Sequence, residues 1–82
     1  MSKKLSNDVR CFIIGSSIKK LREHKKITQE SLAELADIHT SYVGQIERGL
    51  RYPSLKVLFK ISDALNVKPA DLLKGINSNK NG

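Results

Sequence analysis

Apolar residues recur every three or four positions in five short stretches of this chain, and turn-forming residues separate the stretches. This spacing is typical of one face of an α-helix, whereas no stretch alternates apolar and polar residues as a half-buried strand does. The first stretch carries Cys11, Ile14, Ile18 and Leu21, with Arg22 on a polar face. The pattern predicts an all-α fold, a compact arrangement of five short helices.

Capping and turn-forming residues indicate where these helices begin and end. They are predicted to run from about Asp8 to near Lys25, from Gln29 to Ala36, from Thr40 or Ser41 to Gly49, from Pro53-Ser54 to Asn66, and from Pro69 to Gly75. Thr28 can cap the second helix, and Gly49 suits the left-handed residue that often follows a helix end. Residues 1–7 and 75–82 are polar or rich in turn formers, so we expect flexible tails around one domain of residues 8–74.

Length and side-chain inventory argue against catalysis and metal binding. Eighty-two residues hold one small core and leave little volume for a deep cleft. Cys11, His24 and His39 are too few for a four-ligand zinc site, and no catalytic-triad order or Gly-rich phosphate loop is present. We expect a protein that is not an enzyme and needs no cofactor. Without a signal-peptide core or a membrane span, it is expected in the cytoplasm.

The second and third predicted helices have the features of a helix-turn-helix unit. Ala33 is small enough to let the two helices approach closely, and Ile38 fills the turn between them. Val43 and Ile46 recur at helical spacing and anchor the third helix to the core. The opposite face of that helix is then free to meet another molecule.

The outward face of the third helix carries small polar groups, namely Thr40, Ser41 and Gln45 beside Gly44. Hydroxyl and amide groups of this kind hydrogen-bond base edges in the major groove of DNA, which is about 12 Å wide and admits one helix. Thr40 and Ser41 can also cap the helix, and the two roles are compatible.

The formal net charge of +7 is unevenly distributed. Residues 1–26 carry +6 and residues 50–82 carry +4, whereas residues 27–49 carry −3. Attraction to DNA must therefore come from cations that flank the helix-turn-helix unit, while its neutral polar groups discriminate between sequences. Arg48 and Arg51, beyond the third helix, can reach phosphates, although both can equally be solvated surface cations.

The stretch ITQESLAELADIHTSYVGQIERG, Ile27 to Gly49, resembles the XRE-type, lambda-repressor-like helix-turn-helix family. The preceding IGSSIKKLR and the following LRYPSLKVLFKISDALNV extend the resemblance over about Ile14 to Leu73. The segments HTSYV and ERGLR look most like stand-alone members such as restriction-modification controller proteins and small phage-type repressors. The resemblance implies a five-helix lambda-repressor-like domain with the helix-turn-helix at helices 2 and 3.

The resemblance also implies roles for individual residues. Gln29 matches the glutamine that touches a phosphate in the family. Positions that commonly meet the DNA backbone hold Tyr42, Arg48 and Arg51, and base-reading positions hold Thr40, Ser41 and Gln45. Asp37 stands where the family often has glycine, so we expect the turn to be kept with some strain, because Asp tolerates left-handed geometry. Glu47 would repel phosphate, so we expect it to pair with a cation or a backbone N–H.

The resemblance further implies a homodimer on a palindromic operator, because one reading helix covers only a few base pairs. The C-terminal end has more apolar residues than a brief last helix needs for attachment. The candidate dimer residues are Phe59, Val67, Leu72, Leu73 and Ile76. Core packing explains some of these residues equally well.

The sequence therefore favours a dimeric, sequence-specific transcriptional regulator that binds double-stranded DNA, with a restriction-modification controller as a finer interpretation. An antitoxin-like helical module whose main ligand is a protein is the alternative. A third hypothesis is a basic amphipathic protein that binds membrane surfaces. The sequence indicates no small-molecule ligand.

Overall fold

The computed structural model describes residues 9–76, which fold into five helices and contain no strand. The helices are α1 (Val9–His24), α2 (Gln29–Ala36), α3 (Thr40–Glu47), α4 (Leu55–Leu65) and a 3-10 helix, η1 (Pro69–Ile76). The predicted all-α, five-helix fold is confirmed. Residues 1–8 and 77–82, which include most of both predicted tails, lie outside the described residues. Gly75 and Ile76 belong to η1, so the folded region extends beyond the predicted boundary at residue 74.

The core lies where the apolar stripes of all five helices meet. Helix α1 packs against α3 and η1, and α2 packs against α3 and α4. The large side chains that are fully buried in the core include Ile18, Leu32, Ile46, Ile61, Leu65 and Leu72. No helix within residues 9–76 is long and apolar enough to cross a membrane.

Two helices begin at side-chain caps. The Oγ1 atom of Thr28 accepts the N–H of Ser31 at 3.0 Å, as the sequence predicts for the start of α2. The Oγ atom of Ser54 accepts the N–H of Val57 at 3.1 Å at the start of α4. Each cap satisfies one of the backbone N–H groups that a helix leaves without an internal partner.

All four α-helices end in one type of turn. One residue takes the left-handed conformation, and the N–H of the following residue bonds back to a carbonyl five positions earlier. The left-handed residues are Lys26, Asp37, Gly49 and Asn66. The residues that follow them are Ile27, Ile38, Leu50 and Val67, and all but Leu50 pack against the core. These turns direct each helix sharply into the next and keep the connections short.

Candidate nucleic-acid interface

Helix α3 is held by its apolar side and presents its polar side away from the core. Val43 and Ile46 have no exposed surface, so the predicted anchoring is confirmed. Thr40 and Ser41 are exposed, and Gln45 is half-buried. The three side chains predicted to read bases therefore project from the side of α3 that faces away from the core.

His39 is the residue that precedes α3. Its backbone is extended (φ −72°, ψ 144°), and its side chain makes no capping hydrogen bond. The alternative role of Thr40 and Ser41 as caps is therefore wrong, because both lie inside the first turn of the helix. Neither hydroxyl forms a hydrogen bond within residues 9–76, so both are available to an external partner.

The turn between α2 and α3 has the predicted geometry. Asp37 adopts the left-handed conformation (φ 57°, ψ 52°) in the position where the family often has glycine. Its N–H and that of Ile38 donate to the carbonyls of Glu34 and Ala33 at 3.2 and 2.9 Å. Ala33 is buried and Ile38 packs against the core, so the two helices approach as expected.

A largely buried ionic network fastens the end of α3 to α1 and α2. Arg22 donates from Nε and Nη2 to the two carboxylate oxygens of Glu47, at 2.7 and 3.1 Å. Glu47 is only 5% exposed, and the expectation that it pairs with a cation is confirmed. The hydrogen bond to Glu47 raises the pKa of the Arg22 guanidinium above its ordinary value, against the opposing effect of burial. Arg22 therefore stays charged where it holds α3.

Gln29 joins the same network and keeps a donor for an external partner. Its Nε2 atom donates to Oε1 of Glu47 at 2.9 Å, an orientation that follows from chemistry because a carboxylate only accepts hydrogen bonds. Nε2 carries a second hydrogen, and Gln29 is half-buried at the first position of α2. The network thus orients the residue that the family resemblance assigns to a phosphate.

The side chains of Gln29 and Arg48 both lie over Gly44, which is buried and not on the outward face as the sequence predicted. A Cβ atom added at Gly44 would lie 3.7 Å from Oε1 of Gln29 and 3.6 Å from Nη1 of Arg48. Because Gly44 has no side chain, an amide from the start of α2 and a guanidinium from the end of α3 lie over the same helical turn. The sequence predicted both residues as contacts to the DNA backbone but not that both lie over Gly44.

A second group of predicted contact residues surrounds Arg51. Its guanidinium carbon lies 4.8 Å from the centre of the Tyr42 ring, which is within cation–π range. Its Nη1 atom lies 3.5 Å from Oε1 of Gln45, at the outer limit of a hydrogen bond. The Tyr42 hydroxyl accepts the N–H of Ser54 at 3.3 Å and so keeps its own hydrogen for another acceptor. Arg51 thus lies between Gln45, which is predicted to read bases, and Tyr42, which is predicted to contact the DNA backbone.

Two residues of α1 that position α3 were not predicted. Gly15 lies under the end of α3, where an added Cβ would overlap the carbonyl oxygen of Ile46 and lie 2.9 Å from that of Glu47. Arg22, expected on a polar face, has a side chain that is only 11% exposed. The one signal in the sequence is Glu47, since an acid on a surface suited to DNA needs a cation nearby.

The candidate dimer surface at the C-terminal end contains fewer residues than the sequence predicts. Leu72 has no exposed surface and belongs to the core of a single chain, so its assignment to a dimer interface is wrong. Its burial follows from the packing of η1 on α1, for which Leu72 is the buried anchor. Val67 and Ile76 are half-buried and also pack against the core.

Three large apolar residues stay exposed on α4 and η1. Phe59 and Leu73 were among the predicted dimer residues, and they are 47% and 38% exposed. Leu55, four residues before Phe59 on α4, is 66% exposed and was not predicted. Residues four apart on a helix share one face, so Leu55 and Phe59 form an apolar edge of α4.

Comparison with known proteins agrees with this geometry. The family model described as Helix-turn-helix matches residues 18–72. The chain is 41% identical over 70 residues to Control protein C.BamHI of Bacillus amyloliquefaciens, covering 84% of this chain and 85% of that protein. It is also 40% identical over 55 residues to the immunity repressor protein of Bacillus phage phi105, of which it covers 38%.

Solved structures show the same fold. The restriction-modification controller protein C.AhdI from Aeromonas hydrophila superposes with a TM-score of 0.76 at 38% identity, over 78% of this chain and 97% of that one. The P22 c2 repressor, solved in complex with a synthetic operator, superposes with a TM-score of 0.71 at 32% identity, over 76% of this chain and 94% of that one. This chain belongs to the XRE-type helix-turn-helix family, whose members are DNA-binding transcriptional regulators and not enzymes.

Proposed function

We propose that this chain is a sequence-specific transcriptional regulator that places α3 in the major groove of double-stranded DNA. The observation that carries the proposal is the division of α3 into two sides. Val43 and Ile46 fix one side in the core, while the hydroxyls of Thr40 and Ser41 on the other side have no partner within residues 9–76. Hydroxyl and amide groups on such a helix can pair with base edges.

The two groups that flank this polar side are suited to phosphates. Gln29 and Arg48 converge over Gly44, and Arg51 stacks on Tyr42, whose hydroxyl hydrogen is unused. Guanidinium, amide and phenol donors commonly contact phosphate oxygens, which sets register without reading sequence. The base-reading helix therefore lies between two sets of positioning donors.

We further propose a homodimer on a palindromic operator. Helix α3 has eight residues and is about 12 Å long, so one copy reaches only a few base pairs. Two copies related by a two-fold axis double the readable sequence and require a palindromic site. The similarity to controller proteins along nearly their whole length supports a role as a restriction-modification controller.

The exposed apolar residues of α4 and η1 provide a candidate dimer surface. Phe59→Asp places a charge on this surface, so we expect sedimentation to shift from dimer towards monomer. Leu35→Asp is the matched control, because Leu35 is also a large apolar residue, 63% exposed, but lies on α2. A folded Phe59→Asp variant that sediments like the wild type would place the interface elsewhere.

DNA binding is tested with duplexes selected from a random pool. We expect the recovered sequences to share an inverted repeat, and we expect tighter binding to them than to scrambled duplexes at every salt concentration. Recovery of no common sequence, or equal affinity for selected and scrambled duplexes, would contradict sequence-specific recognition. Recovery of a single unrepeated half-site would contradict the palindromic dimer alone.

A further inference from the structure

The turn that ends α1 has an unsuitable residue at its left-handed position. The corresponding residues after the other α-helices are Asp37, Gly49 and Asn66, which are the residue types that tolerate this conformation. After α1 the position is Lys26, with φ 60°. Lysine has a Cβ atom that crowds the following carbonyl and has no short polar group to compensate.

The fold does not require the side chain of Lys26. The turn is closed by backbone bonds, from Lys26 N–H to the carbonyl of Glu23 at 2.9 Å and from Ile27 N–H to that of Arg22 at 3.3 Å. The ammonium group is exposed and makes no ion pair or hydrogen bond within residues 9–76. A cation does interact favourably with the end of a helix, but Lys25 already supplies one there.

The position of this turn is fixed relative to the proposed DNA-binding face. The Nη1 atom of Arg22 donates to the carbonyl of Ile27 at 2.8 Å, while the same guanidinium holds Glu47 at the end of α3. Thr28 and Gln29 follow at once, as the cap and the first residue of α2. Lys26 is therefore an exposed residue of a hydrogen-bonded turn, three residues before the predicted phosphate-contacting amide.

We propose that Lys26 is a further phosphate-contacting residue, whose ammonium meets the DNA strand near Gln29. A phosphate contact would account for a lysine at a position whose backbone conformation favours Gly, Asn or Asp. A cation at this point neutralises a phosphate and does not affect which base sequence is read. The inference rests on the proposed function and adds a contact outside the helix-turn-helix unit. It also accounts for part of the attraction that the acidic unit, residues 27–49 with a charge of −3, does not supply.

The test compares Lys26→Asn with Lys26→Arg in salt titrations. Asparagine tolerates the left-handed conformation, so Lys26→Asn should leave Tm unchanged or higher. Its slope of log affinity against log salt should fall by about one, and its affinity should drop by the same factor on selected and scrambled duplexes. Lys26→Arg keeps the charge and should keep the slope.

The control is Lys74→Ala, which removes another exposed cation, one that pairs with Asp71 at 3.7 Å beside the groove between α1 and η1, on another side of α1 from Arg22. Its slope should stay near that of the wild type. If Lys26→Asn keeps the wild-type slope while Arg48→Ala lowers it, Lys26 does not touch DNA and the proposed function stands. A marked fall in the Tm of Lys26→Asn would show that the lysine serves the fold, which also overturns the inference. If the wild type binds no duplex, both proposals fail.

Discussion

The two sides of α3 differ in the interactions that their residues make. The inner side makes packing contacts and hydrogen bonds with the rest of the described residues, and the outer side carries hydroxyls without a partner there. On the inner side, the backbone carbonyls of Ile46 and Glu47 lie against Gly15, and the Glu47 carboxylate holds three hydrogen bonds. On the outer side, the side-chain hydroxyls of Thr40 and Ser41 make no hydrogen bond within the described part of the chain. Within α3, the contacts that fix the helix and the hydroxyls that can meet DNA therefore lie on different sides, while Gln29 of α2 both holds Glu47 and keeps a donor for DNA.

This separation means that the outer side can change without loss of the fold. A substitution on the inner side displaces backbone or strands a buried charge, and both effects act on the whole helix. A substitution on the outer side removes one donor or acceptor from solvent. We expect inner variants to alter stability first, and truncation of Thr40, Ser41 or Gln45 to alter DNA affinity with little change in stability.

Gly15→Ala should have the largest effect on stability. The new Cβ would overlap the carbonyl oxygen of Ile46, a backbone atom that cannot rotate away. Overpacking of this kind typically costs about 1–3 kcal/mol, and we expect the upper end of that range in thermal unfolding. Ser17→Ala, on another side of α1, is the control and should change Tm little. An unaltered Tm in Gly15→Ala would show that the inner contact is looser than described.

Glu47→Gln should have the next largest effect. The variant keeps the shape of the side chain but leaves Arg22 without its opposite charge, in a site where its side chain is 11% exposed. Breaking a buried pair costs about 3–5 kcal/mol, and because Arg22 keeps some contact with water we expect about 2 kcal/mol in denaturant unfolding. Glu34→Gln on the exposed face of α2 is the control. Equal stability of the two variants would mean that the network does not hold α3.

The sequence was sufficient for the fold because most of its determinants are local. Helical spacing located Val43 and Ile46 on the inner side of α3, and Asp37 marked a turn that tolerates a left-handed residue. The resemblance named Gln29 and Arg48 as backbone contacts. Each of these inferences depends on neighbours within one or two helical turns or on a recognisable motif.

The parts that could not be predicted depend on contacts between distant residues. Arg22 and Glu47 are 25 positions apart, and nothing in the spacing indicates which cation meets the acid. Nothing in the sequence distinguishes Gly15 from other small residues, because its role depends on its contact with the end of α3. Leu72 looked like a surplus apolar residue because its burial depends on how η1 docks on α1.

Gly44→Ala should have the smallest effect, and it should stabilise the protein. The new Cβ would lie at ordinary contact distances of 3.6 and 3.7 Å from its nearest neighbours, so it fits without displacement. Alanine is favoured over glycine inside a helix by about 0.5–1 kcal/mol, and Tm should rise accordingly. The opposite signs expected for Gly15→Ala and Gly44→Ala distinguish a tight contact with backbone atoms from a looser contact with the ends of two side chains. A fall in Tm for Gly44→Ala would show that the side chains of Gln29 and Arg48 cannot accommodate the added methyl group.

The most direct test of the central claim is a salt titration of duplex binding by Gln45→Ala and Arg48→Ala. Losing a base contact costs about 1–3 kcal/mol on the correct site and much less elsewhere, so Gln45→Ala should lose its preference for the selected duplex and keep its salt slope. Arg48→Ala should weaken binding to all duplexes equally and lower the slope by about one. If folded Gln45→Ala, Thr40→Ala and Ser41→Ala all keep the wild-type preference among single-base changes, α3 does not read DNA and the account is contradicted.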